Sequence, residues 1–202
     1  MKFFPKNRQE SLDAIPVFEY DSLRVTSEES VFIIRGTFQP SAKFIIKMER
    51  TLILLKPDCM ERRLAGTVLA RFEQKGFQIV GMKLMQVTPE LAAKHYAEHV
   101  EKPFYPALLA YITSDPIVAV CLEGREVVAT VRKMVGATKG WLAEPGTIRG
   151  DFSLSGQKNL IHASDSLKSA KREIAIFFKP KELISWKTSD AQYRLSPSEM
   201  EE

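Results

Sequence analysis

The central part of the chain, residues 48–187, alternates between short apolar runs and amphipathic stretches, and this alternation constrains the fold more than any other feature. The first apolar run, at 51–55, has the length and composition of a buried strand. Leu64, Val68 and Phe72 then recur at every fourth position, which is the spacing of one helix face. The pattern therefore predicts a domain in which helices pack on strands.

The later elements continue the same alternation. The first long helix is predicted to end at Gly76, and a strand follows over 78–87. Thr88 is placed to cap the next helix, which has Pro89 at its first position and runs to about His99. The remaining predicted elements are a helix over 106–112, a strand over 117–122, a helix over 125–135, a short helix capped by Ser164 or Ser166, and a fourth strand over 174–178. Without the inserted helices the order is β-α-β-β-α-β, which predicts an α+β fold: a ferredoxin-like antiparallel sheet with helices on one face and inserted helices.

The two ends of the chain differ from this central segment. Residues 1–47 mix prolines, aromatic residues and both signs of charge, with two possible short strands at 31–34 and 44–46. Residues 188–202 are polar and are expected to form a loose tail. We therefore expect an N-terminal extension of unknown role (1–47), one domain (48–187) and a polar C-terminal tail (188–202). The extension is either a small appended element or an upstream extension of the reading frame.

Charge and cysteine content limit the possible functions. The formal net charge of +4 suits anionic partners such as nucleotides, nucleic acid or a membrane surface. Lysines and arginines are dispersed without a dense basic run, so nucleic acid is disfavoured. No stretch approaches the roughly 18 apolar residues that cross a bilayer, and the N-terminus lacks a secretory apolar core. With only Cys59 and Cys121, a disulfide framework is excluded, and we expect a cytoplasmic protein without a membrane partner.

Common short motifs for phosphate and metal binding are absent. Neither glycine-rich phosphate loop occurs, in the form GxxxxGK[ST] or as GxGxxG after a strand, and HExxH is also missing. His95 and His99 lie four positions apart on one predicted helix, a spacing that can hold zinc. Because no third cysteine or histidine lies nearby in the sequence, we interpret them as ordinary histidines on the surface of a helix, and we expect no metal site made of protein side chains.

A long stretch with little periodicity, residues 136–166, is the part of the sequence that most indicates function. Structureless stretches longer than about 20 residues in a compact domain are usually functional or disordered. Arg149, Asn159 and His162 would supply this stretch with a cation, an amide and a nucleophile. From spacing alone, a catalytic His162 and one that serves packing or capping are equally supported.

Residues 159–166 read Asn-Leu-Ile-His-Ala-Ser-Asp-Ser, and this run resembles the active-site signature of nucleoside diphosphate kinases. Three further segments agree with that family in the same order: 49–58, His95-Tyr96 with 103–106, and 145–152. The resemblance covers 48–187 nearly end to end. It implies transfer of the terminal phosphoryl group of a nucleoside triphosphate to a nucleoside diphosphate, in two half-reactions through a phosphohistidine.

The resemblance also implies a role for each matched residue. His162 is the phosphorylated nucleophile, and Glu173 orients its imidazole through the other ring nitrogen. Lys56 and Tyr96 lie at the transferring phosphoryl group. The residues matched to nucleotide contacts are Phe104 for stacking on the base, Leu108 for apolar contact beside it, Lys56, Arg132, Thr138 and Arg149 for the phosphates, and Asn159 for the ribose hydroxyls.

The same resemblance implies a cofactor and an assembly state, and the sequence departs from the family pattern at three places. Mg²⁺ is expected to arrive on the nucleotide phosphates with few or no protein ligands, and a symmetric homo-oligomer is expected. Gly156 stands where the family has a larger apolar residue beside the base, and Gln157-Lys158 replaces a Gly-Arg pair. Lys139-Gly140 replaces Asn-Pro in a loop near subunit contacts. Base contacts and oligomer size are therefore left open.

Other readings of the same residues remain at this point. Without the resemblance, Glu173 would be a solvated acid at a helix end, Lys56 a charge that ends a strand, and Phe104 a core residue. The whole chain could also be a basic binding module, or a structural oligomer with a vestigial pocket. The dispersed charge favours the enzyme over the binding module, and the intact His162 and Lys56 disfavour a vestigial pocket.

Overall fold

The structure, a computed structural model, describes residues 48–186, 188–194 and 196, with only the backbone at 191 and 192. The two strands predicted at 31–34 and 44–46 lie outside the described residues. The strands are β1 (Met48–Leu55), β2 (Gln78–Met85), β3 (Ile117–Arg125) and β4 (Ile161–Ala163). The α-helices are α1 (Pro57–Glu61), α2 (Ala65–Lys75), α3 (Pro89–His95), α4 (Tyr105–Ile112), α5 (Val127–Val135), α6 (Ile148–Phe152), α7 (Leu167–Phe177) and α8 (Ala191–Arg194), and 3₁₀ turns cover Ala97–His99, Gly140–Leu142 and Pro180–Glu182.

The four strands form one antiparallel sheet in the order β2-β3-β1-β4. This is the strand order of a split β-α-β-β-α-β unit, so the predicted ferredoxin-like arrangement is confirmed. Strand β1 pairs with β3 along its whole length and with β4 through a short register in which Leu54 lies opposite His162.

Both faces of the sheet are covered. Along β1, Ile53 and Leu55 face one core and Leu52 and Leu54 face the other, as the two-residue period of a strand requires. The two crossover helices, α2 and α5, share the first core, as the sequence predicted. The inserted helices α3 and α4, together with α7, fill the second core. His162 lies opposite Leu54 and therefore on the second face.

The prediction of a fourth strand at 174–178 is wrong. Residues 174–177 form the last turn of α7 and Phe178 caps that helix, while the fourth strand is instead Ile161–Ala163, inside the stretch predicted to be irregular. Ala170, Ile174 and Phe177 are buried at helical spacing, which places the apolar run on the inner face of the helix. A run of five apolar residues fits either element by periodicity, and packing decides between them.

The predicted helix ends are largely correct. Helix α2 ends at Gly76, which adopts a left-handed conformation with φ of 96°. Thr88 caps α3 by accepting a hydrogen bond from the backbone N–H of Leu91 at 3.2 Å. The helix ends at His95, earlier than predicted, and continues as a 3₁₀ turn. Of the two candidate caps for α7, Ser166 is the one used, because its Oγ accepts from the N–H of Ser169 at 3.1 Å.

The chain after α7 returns along the edge strand β2. The backbone N–H of Ile184 donates to the carbonyl of Val80 at 2.7 Å. The indole N–H of Trp186 donates to the carbonyl of Ile79 at 3.0 Å. Arg194 then donates to the carbonyl of Gly76 at 2.5 Å, so the described part of the tail that was expected to be loose is attached to the end of α2. None of the helices in the described part of the chain combines the length and apolar character needed to cross a bilayer.

Candidate active site

His162 lies in the middle of β4 and pairs with a carboxylate from α7. Its Nε2 atom is 2.9 Å from Oε2 of Glu173. The side chain of His162 is 22% exposed, whereas that of Glu173 is only 6% exposed. Burial alone raises the pKa of the Glu173 carboxyl, but the hydrogen bonds from His162 and Ser164 outweigh burial and hold that pKa below its usual value.

The ionised state of Glu173 fixes the tautomer of His162. A carboxylate can only accept hydrogen bonds, so Nε2 of the imidazole must carry the shared proton. In the neutral ring this leaves the lone pair on Nδ1. Ser164 completes the arrangement, since its hydroxyl donates to the same Glu173 oxygen at 2.7 Å. The sequence had suggested Ser164 only as a helix cap.

Lys56 follows β1 directly and is buried beside the loop that precedes β4. Its Nζ donates to Oδ1 of Asn159 at 2.7 Å, and its backbone N–H donates to the carbonyl of Leu160 at 2.8 Å. Burial, aided by the charge of Arg149 and opposed by Asp58, lowers the pKa of Lys56 to about 8. The ammonium group therefore lacks a full counter-charge and is suited to an anionic ligand.

Arg149 is buried and fastens the same loop. Its guanidinium donates to the carbonyls of Asn159 at 3.2 Å, Gly136 at 3.0 Å and Ile161 at 2.6 Å. Burial and the nearby charge of Arg132 lower its pKa to about 10, so it stays charged at neutral pH. Arg149 thus shapes the backbone on both sides of Leu160 and places a cation against the first residue of β4.

Arg132 and Thr138 are more accessible than Arg149. Both side chains are exposed, and Nη1 of Arg132 lies 3.4 Å from the carbonyl oxygen of Ala163, the residue after His162. Thr138 contributes its backbone carbonyl, which accepts from the amide of Asn159 at 2.8 Å.

The turn before β4 is held in an uncommon conformation that sequence reasoning missed. Leu160 has φ of 69°, in the left-handed region that residues with a side chain rarely adopt. Its backbone N–H donates to Oδ2 of Asp58 at 3.1 Å, and the other Asp58 oxygen accepts from the hydroxyl of Tyr111. The acid after the proline that ends β1 was the available signal for Asp58, whereas nothing local indicated Tyr111.

The prediction that His95 is a surface residue is wrong. Its side chain is buried at 5% exposure, and its ring centroid lies 4.6 Å from that of His162 in an edge-to-face arrangement. Burial and the charge of His162 lower the pKa of His95 to about 3, so its ring is neutral. Tyr96 packs on His95 with ring centroids 4.4 Å apart, and burial raises the pKa of its hydroxyl. His99, by contrast, is only half-buried.

Phe104 lies directly before α4, and Leu108 lies on the first turn of that helix. Phe104 precedes the helix and is 54% exposed, with its ring 5.5 Å from that of His99. The amide of Gln157 donates to the carbonyl of Ala107 at 3.1 Å and so ties the start of α4 to the loop that carries Asn159. An exposed aromatic ring beside a cationic loop can stack on a nucleotide base.

The sequence pattern of the family described as nucleoside diphosphate kinase matches residues 49–183. The chain belongs to the nucleoside diphosphate kinase family. The nucleoside diphosphate kinase of Rhodopirellula baltica is 62% identical over 139 residues, which make up 69% of this chain and 91% of that protein. The one from Thermus thermophilus is 58% identical over 137 residues, which make up 68% of this chain and 100% of that protein.

Solved nucleoside diphosphate kinases share the fold. The enzyme of Halobacterium salinarum in complex with CDP matches with a TM-score of 0.73 at 42% identity, covering 74% of this chain and 100% of that one. The Aquifex aeolicus enzyme matches with a TM-score of 0.67 at 42% identity, covering 68% of this chain and 100% of that one. Nucleoside diphosphate kinases transfer phosphoryl groups between nucleotides through a phosphohistidine, so the chain is an enzyme of that class, as the resemblance implied.

In this nucleoside diphosphate kinase, direct contacts join most of the predicted site residues into two groups. His162, Glu173 and Tyr96 meet around His95, and Lys56, Asn159 and Arg149 meet in the loop before β4. Arg132 reaches the carbonyl after His162. The ring of Phe104 is connected to the first group through the rings of His99 and Tyr96, and the Gln157 hydrogen bond ties α4 to the loop of the second group.

Proposed function

We propose that the chain transfers the γ-phosphoryl group of a nucleoside triphosphate to a nucleoside diphosphate with Nδ1 of His162 as the nucleophile. The observation that carries this assignment is the hydrogen bond between Nε2 of His162 and Glu173, because it leaves the lone pair on Nδ1. Nδ1 attacks the γ-phosphorus, and the bond from phosphorus to the bridging oxygen breaks, with its electron pair leaving on the diphosphate. In the second half-reaction a terminal oxygen of the acceptor diphosphate attacks the same phosphorus, and the P–N electron pair returns to Nδ1.

The cations around His162 supply the electrostatic part of this proposal. Phosphoryl transfer has a loose transition state with negative charge spread over equatorial oxygens, so alignment and nearby cations provide most of the catalysis. Lys56 is buried without a full counter-charge, and Arg149 and Arg132 flank β4. We assign Lys56 and Arg132 to the transferring phosphoryl group and its neighbours. Arg149 contributes charge and holds the loop.

The nucleoside is proposed to bind between α4 and the loop before β4. Phe104 offers an exposed π-face that accepts any base, with Leu108 beside it. Asn159 uses its amide N–H groups on protein carbonyls and shares Oδ1 with Lys56, so the remaining lone pair of Oδ1 is its contact for a ribose hydroxyl. Thr138 and Tyr96 complete the phosphate end of the pocket.

Mg²⁺ fits this site as an ion carried by the nucleotide. Hard cations require several oxygen ligands. The two buried carboxylates of the described cleft are both engaged: Asp58 accepts from Leu160 and Tyr111, and Glu173 from His162 and Ser164. The phosphate oxygens would therefore hold Mg²⁺ and share its charge-neutralising role with Lys56 and Arg132.

The remaining proposals concern the oligomeric state, the cellular location and the domain boundaries of the chain. We propose a symmetric homo-oligomer in the cytoplasm, consistent with two buried thiols that form no disulfide. We also propose that the kinase domain spans 48–187, with 1–47 as an extension and 188–202 as a tail. Mass spectrometry of the protein from its native cell tests the extension, because a mature start at Met48 would exclude a role for it.

Incubation with γ-labelled ATP tests the proposed nucleophile. The protein should take up a label that is lost in acid and stable in alkali, and added GDP should discharge it as GTP. His162→Ala should abolish the label, while His99→Ala, which removes a histidine outside the proposed reaction centre, should keep it. Labelled protein after His162→Ala would identify a different nucleophile.

A further inference from the structure

His95 is buried without partners for its ring nitrogens. Both Nδ1 and Nε2 are shielded from solvent, and neither has a hydrogen-bond partner among the described residues. A neutral imidazole presents one donor and one acceptor, and burying both unpaired is unfavourable. Native proteins rarely leave such groups unsatisfied, so both ring nitrogens of His95 are available to a partner that the described residues do not supply.

His95 lies beside two other side chains that can bind a metal ion, His162 and Glu173. One atom each from His95, His162 and Glu173 can be chosen so that all lie within 4.8 Å of one another. The His162 ring meets His95 edge to face, and Oε2 of Glu173 lies 2.9 Å from Nε2 of His162. Ser164 donates to the Glu173 carboxylate in the way that supporting residues orient a metal ligand.

Two imidazole nitrogens and one carboxylate oxygen favour a particular group of cations. Zn²⁺ and the late first-row ions Co²⁺, Ni²⁺ and Cu²⁺ prefer imidazole, and three protein ligands with one open position are common for Zn²⁺. Mg²⁺ and Ca²⁺ require more oxygen ligands than this set provides. Two positive charges oppose any cation at this site: Arg172, which lies 3.5 Å from Oε1 of Glu173, and Lys56. The site therefore favours ions that bind nitrogen strongly.

We propose that His95, His162 and Glu173 form a binding site for a divalent cation of the Zn²⁺ class, and that its occupancy blocks phosphorylation of His162. The inhibition of His162 phosphorylation rests on the proposed function, whereas the metal site itself does not. If the metal bonds to Nε2 of His162, the ring proton moves from Nε2 to Nδ1, and the nucleophilic lone pair is lost. If the metal bonds to Nδ1, it uses that lone pair itself. Either mode excludes attack on phosphorus, without any change of oxidation state.

Metal titration of chelator-treated protein is the first test, and it needs no enzyme activity. Calorimetry with Zn²⁺ and the visible absorption of Co²⁺ should both report one site per chain. His95→Ala should weaken binding at least about tenfold, which is the lower range for loss of a residue that supports a metal site. His99→Ala is the matched control, because the chain has three histidines and this one lies outside the group. If His95→Ala does not fold, His95→Gln replaces it.

Labelling by γ-labelled ATP with excess Mg²⁺ is the second test. Preloading with Zn²⁺ should slow labelling of the wild-type protein and of His99→Ala, and it should affect His95→Ala far less, each compared with its own metal-free rate. Absence of stoichiometric binding, or equal binding by His95→Ala, overturns the site. Binding that leaves the labelling rate unchanged overturns the inhibition. A wild-type protein that binds metal but never takes up label would instead contradict the proposed function.

Discussion

Nζ of Lys56 donates a hydrogen bond of 2.7 Å to Oδ1 of Asn159, although the two residues are 103 positions apart in the chain. The Asn159 amide is itself fixed by the carbonyls of Thr138 and Gly156. The end of β1 and the loop before β4 thus position one ammonium group together. A cation held in this way can meet a phosphoryl group without reorganising.

Asn159→Ala should therefore impair catalysis by releasing Lys56. We expect kcat/KM to fall about 100-fold, the loss typical of a misplaced catalytic group, with a smaller change in the free energy of unfolding. Steady-state kinetics with ATP and a nucleoside diphosphate measure this. Lys158→Ala alters the exposed neighbouring residue and should retain nearly full activity. Equal losses in both variants would show that the loop, not the Lys56 contact, is responsible.

The lowered pKa of Lys56 predicts a dependence of activity on pH. In the free enzyme this pKa is about 8, so the cation is lost as the pH rises through that value. We expect kcat/KM to decline above about pH 8 and binding of the anionic nucleotide to take up protons in that range. Lys56→Arg keeps its charge at these pH values, so its residual activity should lack this decline. A wild-type profile that stays flat to pH 10 would contradict the assignment.

The same shift predicts a dependence of stability on pH. The pKa of Lys56 falls from 10.5 to about 8 on folding, so the unfolded chain binds more protons between these values. The free energy of unfolding contributed by this group must then increase as the pH rises from 8 to 10.5, by roughly 3 kcal/mol. Denaturant unfolding at several pH values should show this rise in the wild type relative to Lys56→Met. A constant difference between the two proteins would be inconsistent with a buried, charged lysine.

The bond between Glu173 and His162 predicts a graded pair of variants. Glu173→Gln can hydrogen-bond either tautomer of His162, so the selection of the Nδ1 lone pair is lost, and we expect labelling to slow by about 10²–10⁴-fold. Ser164→Ala keeps the carboxylate and removes one donor to it, so labelling should slow much less than in Glu173→Gln. The free energy of unfolding should fall by about 1 kcal/mol. Rates of labelling by γ-labelled ATP separate the two. Ser164→Ala slower than Glu173→Gln would reverse the proposed roles.

Asp58 should be important for stability, because it satisfies two groups at once. Asp58→Ala leaves the Leu160 N–H and the Tyr111 hydroxyl without their acceptor and removes the contact that holds Leu160 in its left-handed conformation. We therefore expect the free energy of unfolding to fall by about 2–5 kcal/mol. Tyr111→Phe removes only one of these bonds and should cost about 1 kcal/mol. Urea unfolding measures both. Similar losses in the two variants would mean that the Leu160 turn does not depend on Asp58.

Local signals predicted local structure well. Gly76 and Thr88 mark helix ends correctly, since a left-handed cap and a side-chain acceptor act within a few residues. Strand β4 was missed because three residues are too few to show a period. The run at 174–178 was misassigned because its apolar residues satisfy a strand locally, while the packing of α7 against β1 and α3 is set by the whole fold.

The candidate site was predictable where a residue lies in a recognisable motif and not where contacts are long-range. His162, Glu173 and Lys56 come from segments that resemble a known family. Tyr111 meets Asp58 across 53 positions, so no local pattern could indicate it. His95 was placed on the surface because helical spacing does not tell which face of α3 the later helices α4 and α7 will cover.

Phe104 is the residue proposed to stack on the nucleotide base. If it stacks on the base, Phe104→Ala should raise KM about tenfold or more for ADP, GDP and CDP alike, since every base has a π-face. The rate at saturating nucleotide should change less, because a ring that stacks on the base makes no contact with the transferring phosphoryl group. Gln157→Ala, which only releases the loop from α4, should have a smaller effect and a less uniform one across the bases. A Phe104→Ala defect confined to one base would indicate recognition of the base edge, and stacking would then be rejected.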